Sequence, residues 1–104
     1  MEVTIHDRAR DLPTEVHAYV ERKVKGLSDH FDLISAAEVE FDRDVKKSQE
    51  PLHVVKVTLH LVGHRLRDLR ASETGRDQLA TFDLLMEKID GEVTRLKGRV
   101  TAHP

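Results

Sequence analysis

The last quarter of the chain carries apolar residues at Leu79, Phe82, Met86, Ile89, Val93, Leu96 and Val100, spaced three and four apart without a break. That period puts them on one stripe of an α-helix, and such a stripe needs a surface to cover. A continuous helix of about 24 residues would be on the order of 36 Å long. Gly91 and Gly98 fall inside it and each weakens it by roughly 1 kcal/mol against Ala, which makes Gly98 the natural place for a kink or fraying. A coiled-coil seam would show the same repeat. Three heptads are borderline for one, and the preceding segments supply strands that need a cover.

Those strands are read from alternation. Val3 and Ile5 alternate with Glu2, Thr4 and His6; Ala37, Val39 and Phe41 alternate with Glu38, Glu40 and Asp42; Val55, Val57, Leu59 and Leu61 alternate with Lys56, Thr58 and His60. Each run has the period of a half-buried strand. Gly63-His64 marks a turn into a fourth strand, from Leu66 to Glu73, so the third and fourth form a hairpin. Between the first two strands Pro13 starts a helix in which Val16, Val20, Val24, Leu27 and Phe31 recur every three or four residues. Arg43 to Pro51 has no periodicity and reads as a solvated loop.

The order is therefore β-α-β-β-β-α, an α+β fold in which a four-stranded sheet carries two helices on one face. At 104 residues the chain has material for one core, so residues 1–104 read as a single domain. The opposite sheet face would carry Glu38, Glu40, Lys56, Thr58 and His60 and meet water. Handedness of the crossover makes the first two strands parallel, and two reversals then give the fourth strand the same direction. Both helices oppose it, so they are parallel to each other.

That topology collects cations. Arg22, Lys23 and Lys25 sit late in the first helix, Arg95, Lys97 and Arg99 late in the second, and Arg65 and Arg67 flank the hairpin turn with His64, all at one expected end. The net charge is −2, from 17 Lys+Arg against 19 Asp+Glu, so an anionic partner would need a local patch of this kind. Phosphate contact suits such an end better than base stacking, since 4% of residues are aromatic and none is Trp. A solvated basic rim is the competing reading, because cations near helix C-termini are favoured by roughly 0.3 to 1 kcal/mol through the backbone dipole alone.

Catalytic and metal chemistry find little to work with. The chain has no cysteine, which excludes disulfides and thiolate chemistry and fits a reducing, cytoplasmic setting. It has no apolar run of membrane-spanning length, and its first residues lack the order of a signal peptide. His60 and His64 would lie about 13 Å apart along a strand, and His6, His17, His30, His53 and His103 have no partner at ligand spacing, so no metal is expected. Glu38 and Glu40 share a strand face about 7 Å apart, but a flat wet sheet offers nothing to raise one carboxyl's pKa. The glycines form neither a phosphate loop nor a dinucleotide fingerprint. No enzyme, cofactor or small-molecule substrate is expected.

The opening strand with its helix start at Pro13-Thr14-Glu15-Val16, and Ala71-Ser72-Glu73 leading through Asp77 and Thr81-Phe82-Asp83 into Met86-Glu87-Lys88-Ile89, resemble the ribosome hibernation-promoting factors. That family includes the ribosome-associated inhibitors of stationary phase (sigma-54 modulation, S30EA), and the resemblance runs over nearly the whole chain. It implies a stress-response domain that binds the small ribosomal subunit near the decoding region, blocks tRNA and mRNA access, and silences translation reversibly. Helix cations face ribosomal RNA in the family. Here Lys23, Lys88 and Arg95 keep that character, with Arg22, Lys25, Lys97 and Arg99 nearby.

Gly26 and Asp29 depart from the family's basic first helix, and Gly91 and Glu92 interrupt the basic run of the second. An alternative function is therefore a protein-interaction module that kept the fold and lost strong RNA affinity. The chain resembles short members, or the N-terminal domain of long ones; as a complete product it would not pair ribosomes through a second domain. A monomer in solution is expected.

Overall fold

The computed structural model describes residues 1–44, 52–63 and 65–101. The elements are β1 (Glu2–Asp7), α1 (Thr14–His30), β2 (Ile34–Asp44), β3 (Leu52–Leu61), β4 (Leu69–Gly75) and α2 (Gln78–Thr101). They form one four-stranded sheet in the order β1-β2-β3-β4. β1 is parallel to β2, and the β2–β3 and β3–β4 pairs are antiparallel. This is the α+β architecture expected from the apolar periods, with α1 on β1 and β2 and α2 on β3 and β4.

The core lies between the helices and one sheet face. Val20, Val24 and Leu27 of α1 and Phe82, Leu85, Ile89, Val93 and Leu96 of α2 close over Ala37, Val39, Phe41, Val55, Val57 and Leu59. Phe82 is fully buried and stands edge-on to Tyr19 at 6.0 Å and tilted to Phe41 at 6.1 Å, so one ring joins α2 to α1 and to the sheet. On the open face Glu38 is paired across to Thr58 and Glu40 to Lys56, next to His60, all partly exposed as expected.

Local chemistry explains the helix starts. Asp7 accepts the backbone N–H groups of Asp11 and Leu12 and shapes the approach to α1. Pro13 then sits just ahead of the first turn, where its missing N–H costs no helical hydrogen bond. Asp77 caps α2 by accepting from the N–H of Leu79 at 3.2 Å, and the Thr81 hydroxyl donates back to the Asp77 carbonyl.

Several expectations are corrected. The buried stripe of α2 runs Phe82, Leu85, Ile89, Val93, Leu96; Leu79 and Val100 remain 38% and 36% exposed at its ends, and Met86 is half-buried. A helix of 24 residues outruns the seven-residue strand β4, so its ends overhang the sheet. The fourth strand starts at Leu69 rather than Leu66, because the connection folds on itself: the Leu66 N–H donates to the Gly63 carbonyl at 3.3 Å, and Asp68 accepts the Leu61 N–H. Arg43 and Asp44 belong to β2 rather than to a loop. The rest of that expected loop, and the histidines at 64 and 103, lie outside the described residues.

Candidate functional site

The parallel helices leave an open groove of about 790 Å³ between them. Tyr19 lines it. The Tyr19 hydroxyl donates to Asp83 at 2.8 Å, and this bond holds the phenol above its ordinary pKa. Three and four residues further along α1, Arg22 and Lys23 reach back over the ring, with the guanidinium carbon 5.7 Å and the ammonium 5.6 Å from its centroid. The ring gives two otherwise flexible cations a shared contact at the groove edge.

The wall supplied by α2 is acidic, with Asp83, Glu87 and Asp90 lining the groove opposite Arg22 and Lys23. These acids recur at spacings of four and three, which puts them on the flank of α2 that faces α1. The cations of α2 lie elsewhere. Lys88 donates to the carbonyl of Ser72 on β4 at 3.4 Å, so it is on the far flank. Arg95 is two turns further on and bonds to Glu92. Arg99 lies against the β3–β4 connection, beside Arg65.

The expected positive end is thus divided into parts. Arg22 and Lys23 stand together on Tyr19; Lys25 is tied to Glu21 at 2.9 Å, which lowers that carboxyl's pKa; Lys88 and Arg95 share the outer flank of α2; Arg65 and Arg99 share a cleft. Arg67 and Lys97 are exposed. Tyr19 was the residue that sequence reasoning missed. Its signal was available in the i, i+3, i+4 spacing from the chain's one tyrosine to two cations.

The open sheet face carries a second polar cluster. Glu38 accepts from His60 Nε2 at 2.7 Å and contacts His6 Nε2 at 3.3 Å, while His60 Nδ1 meets Asp68 at 2.9 Å. These bonds, to Glu38 first, raise the His60 pKa; His60 in turn lowers those of Glu38 and Asp68. Arg8 pairs with Glu40 beside them. Among the described residues no group of three or more His, Cys, Asp or Glu side chains is arranged to hold a metal ion.

The described residues thus form a small α+β fold with cations on two parallel helices and a partly exposed polar sheet face. Residues 3–101 match the family model described as Sigma 54 modulation protein / S30EA ribosomal protein, and the chain belongs to that family. A ribosome hibernation promoting factor of Azotobacter vinelandii is 29% identical over 97 residues, covering 93% of this chain and 83% of that one. The ribosome hibernation promoting factor of Escherichia coli strain K12 is 26% identical over 103 residues, 99% of this chain and 100% of its own length. The fold is shared with a ribosomal subunit interface protein from Coxiella burnetii, at TM-score 0.76 and 20% identity over 94% of this chain and 99% of the other. It is shared as well with the N-terminal domain of Protein Y from Thermus thermophilus, at TM-score 0.74 and 21% identity over 92% and 99%.

Proposed function

We propose that this chain is a hibernation factor that binds the small ribosomal subunit as a single domain and monomer, near the decoding region, and there blocks tRNA and mRNA. The observation that carries the reading is the family match across residues 3–101, joined to cations displayed on both helices. Lys23, Lys88 and Arg95 are the central phosphate contacts, supported by Arg22, Lys25, Arg65, Arg67, Lys97 and Arg99. Because the chain carries a net charge of −2, attraction comes from these local groups rather than from overall charge. At physiological salt, charge is screened within about 8 Å, so each contact acts where it touches. A ribosomal partner puts this work in the cytoplasm.

Co-sedimentation with isolated small subunits across a salt series tests the proposal. Binding is expected to weaken steeply with salt and to vanish in Lys88→Glu/Arg95→Glu, with the fold retained. Unchanged association of that variant would remove the outer flank of α2 from the RNA face. The acidic wall of Asp83, Glu87 and Asp90 favours a second reading, a protein-interaction module with the same fold. Absence of subunit binding at low salt selects that reading.

A further inference from the structure

At the end where α2 finishes, an open cleft of about 590 Å³ lies between that helix and the β3–β4 connection. Leu33, Leu66, Leu96 and Val100 give it an aliphatic lining, and Arg65 and Arg99 add two cations. Part of the exposed apolar surface lies here. Val100 is 36% exposed, and Val62, next to Gly63, is 58% exposed while its N–H donates to the Leu33 carbonyl at 2.8 Å. Partly exposed Leu33 and Leu66 and exposed Val100, set beside two cations in one open cleft, make it a candidate contact surface.

The backbone is shaped to build this cleft. Gly63 has φ 153°, and a Cβ there would come within 2.6 Å of Leu66, so glycine lets Leu66 press into the lining. Arg65 holds φ 68°, a left-handed conformation rare for a long side chain. Arg99 also complements the dipole of α2 from its last turn, but Arg65 belongs to no helix. Neither arginine pairs with a carboxylate among the described residues, and nearby Asp68 is already held by His60 and the Leu61 N–H.

We infer that this cleft docks a polypeptide segment in which an aliphatic side chain is flanked by carboxylates. The aliphatic lining receives the side chain, and the two guanidiniums bind the carboxylates through their paired N–H groups. Among the described residues that line the cleft none is aromatic and four are aliphatic, a lining that suits an aliphatic side chain better than a stacked nucleobase. The inference shares Arg65 and Arg99 with the outer contacts of the ribosomal reading, but it uses none of that reading's central contacts, Lys23, Lys88 and Arg95.

The full chain, labelled at its methyl groups, is titrated by NMR with an acetylated, amidated peptide of sequence Glu-Glu-Leu-Leu-Glu-Glu. Saturable shifts confined to the methyls of Leu66, Leu96, Val100 and their neighbours are expected. Replacing both peptide leucines by Ala, or using Arg65→Glu/Arg99→Glu, is expected to weaken binding by at least about tenfold, whereas Lys88→Glu/Arg95→Glu retains it. The peptide comparison stands even if the double arginine variant misfolds. Absent shifts, shifts scattered over the surface, equal binding of the Ala peptide, or abolished binding in Lys88→Glu/Arg95→Glu would overturn the proposal. So would an oligouridylate that moves the cleft methyls where the peptide does not, and it would assign the cleft to RNA.

Discussion

His60 Nδ1 stands 2.9 Å from Asp68 Oδ2, so β3 is tied to the end of the connection that leads into β4. The other ring nitrogen reaches Glu38 on β2 at 2.7 Å, and His6 on β1 contacts the same carboxylate. Only an imidazolium donates from both nitrogens, which is why the two carboxylates hold the His60 pKa above its ordinary 6.5. Arg70 adds a weaker attraction for Asp68.

The stability of this tie depends on pH from two directions. His60 has a raised pKa when folded, so its contribution is fully present below 6.5 and is lost as pH rises through the folded value. Glu38 and Asp68 have lowered pKa values, so theirs is present above 4.5 and 3.8 and is lost as pH falls through the folded values. The tie is therefore at full strength at about pH 4.5 to 6.5. Thermal melts of the wild type and His60→Gln are expected to differ most inside that window and to converge on both sides. A difference that stays constant across pH would show that His60 acts by packing alone.

Phe82 should dominate the core because its ring meets Tyr19, Phe41 and the sheet at once. Phe82→Ala is expected to cost about 3 to 5 kcal/mol in urea unfolding. Leu84, on the same helix but 55% exposed, is expected to change stability by no more than about 0.5 kcal/mol when replaced by Ala. Equal losses at both positions would mean that α2 is seated with a different face inward.

Two glycines make opposite predictions. Gly63→Ala forces an L residue to φ 153° and its Cβ against Leu66, and is expected to destabilise by about 1 to 3 kcal/mol. Gly91 lies within α2 with nothing within 4 Å of an added Cβ, so Gly91→Ala is expected to stabilise by about 0.5 to 1 kcal/mol through helix propensity. Denaturant midpoints of the two variants, with unchanged slopes, provide the check.

The element order was legible because β1, β2 and β3 alternate apolar and polar residues and each helix has one apolar stripe, so residues such as Val55, Val57 and Leu59 announce their own geometry. The start of β4 was not, because Leu66 has the side chain of a strand residue but is folded into a turn set by the backbone at Gly63 and Arg65. The division of the cations was readable in principle. Asp83, Glu87 and Asp90 follow one helical flank while Lys88, Arg95 and Arg99 follow another, and grouping charges by position along the helix instead of around it merged the two. The cation pair on Tyr19 was hidden for a related reason: counting aromatics as stacking platforms for bases passes over a ring already covered by its own neighbours.

That ring separates charge from preorganisation in the proposed ribosome contact. Arg22→Ala/Lys23→Ala removes two cations, and the slope of log affinity against log salt for small-subunit binding is expected to fall by about 0.7 to 0.9 for each phosphate no longer neutralised. Tyr19→Ala leaves the net charge untouched but frees both side chains from the 5.7 and 5.6 Å positions they hold over the ring. Each must then be ordered on binding, at roughly 0.5 to 1.5 kcal/mol per side chain. Tyr19→Ala is thus expected to lower affinity at every salt concentration while leaving the slope in place. Tyr19→Phe, which keeps the ring and removes only the bond to Asp83, should bind close to wild type. If Tyr19→Ala instead flattens the slope, Arg22 and Lys23 reach phosphate only from their positions over the ring; if neither variant changes binding, this edge of the groove lies outside the RNA interface.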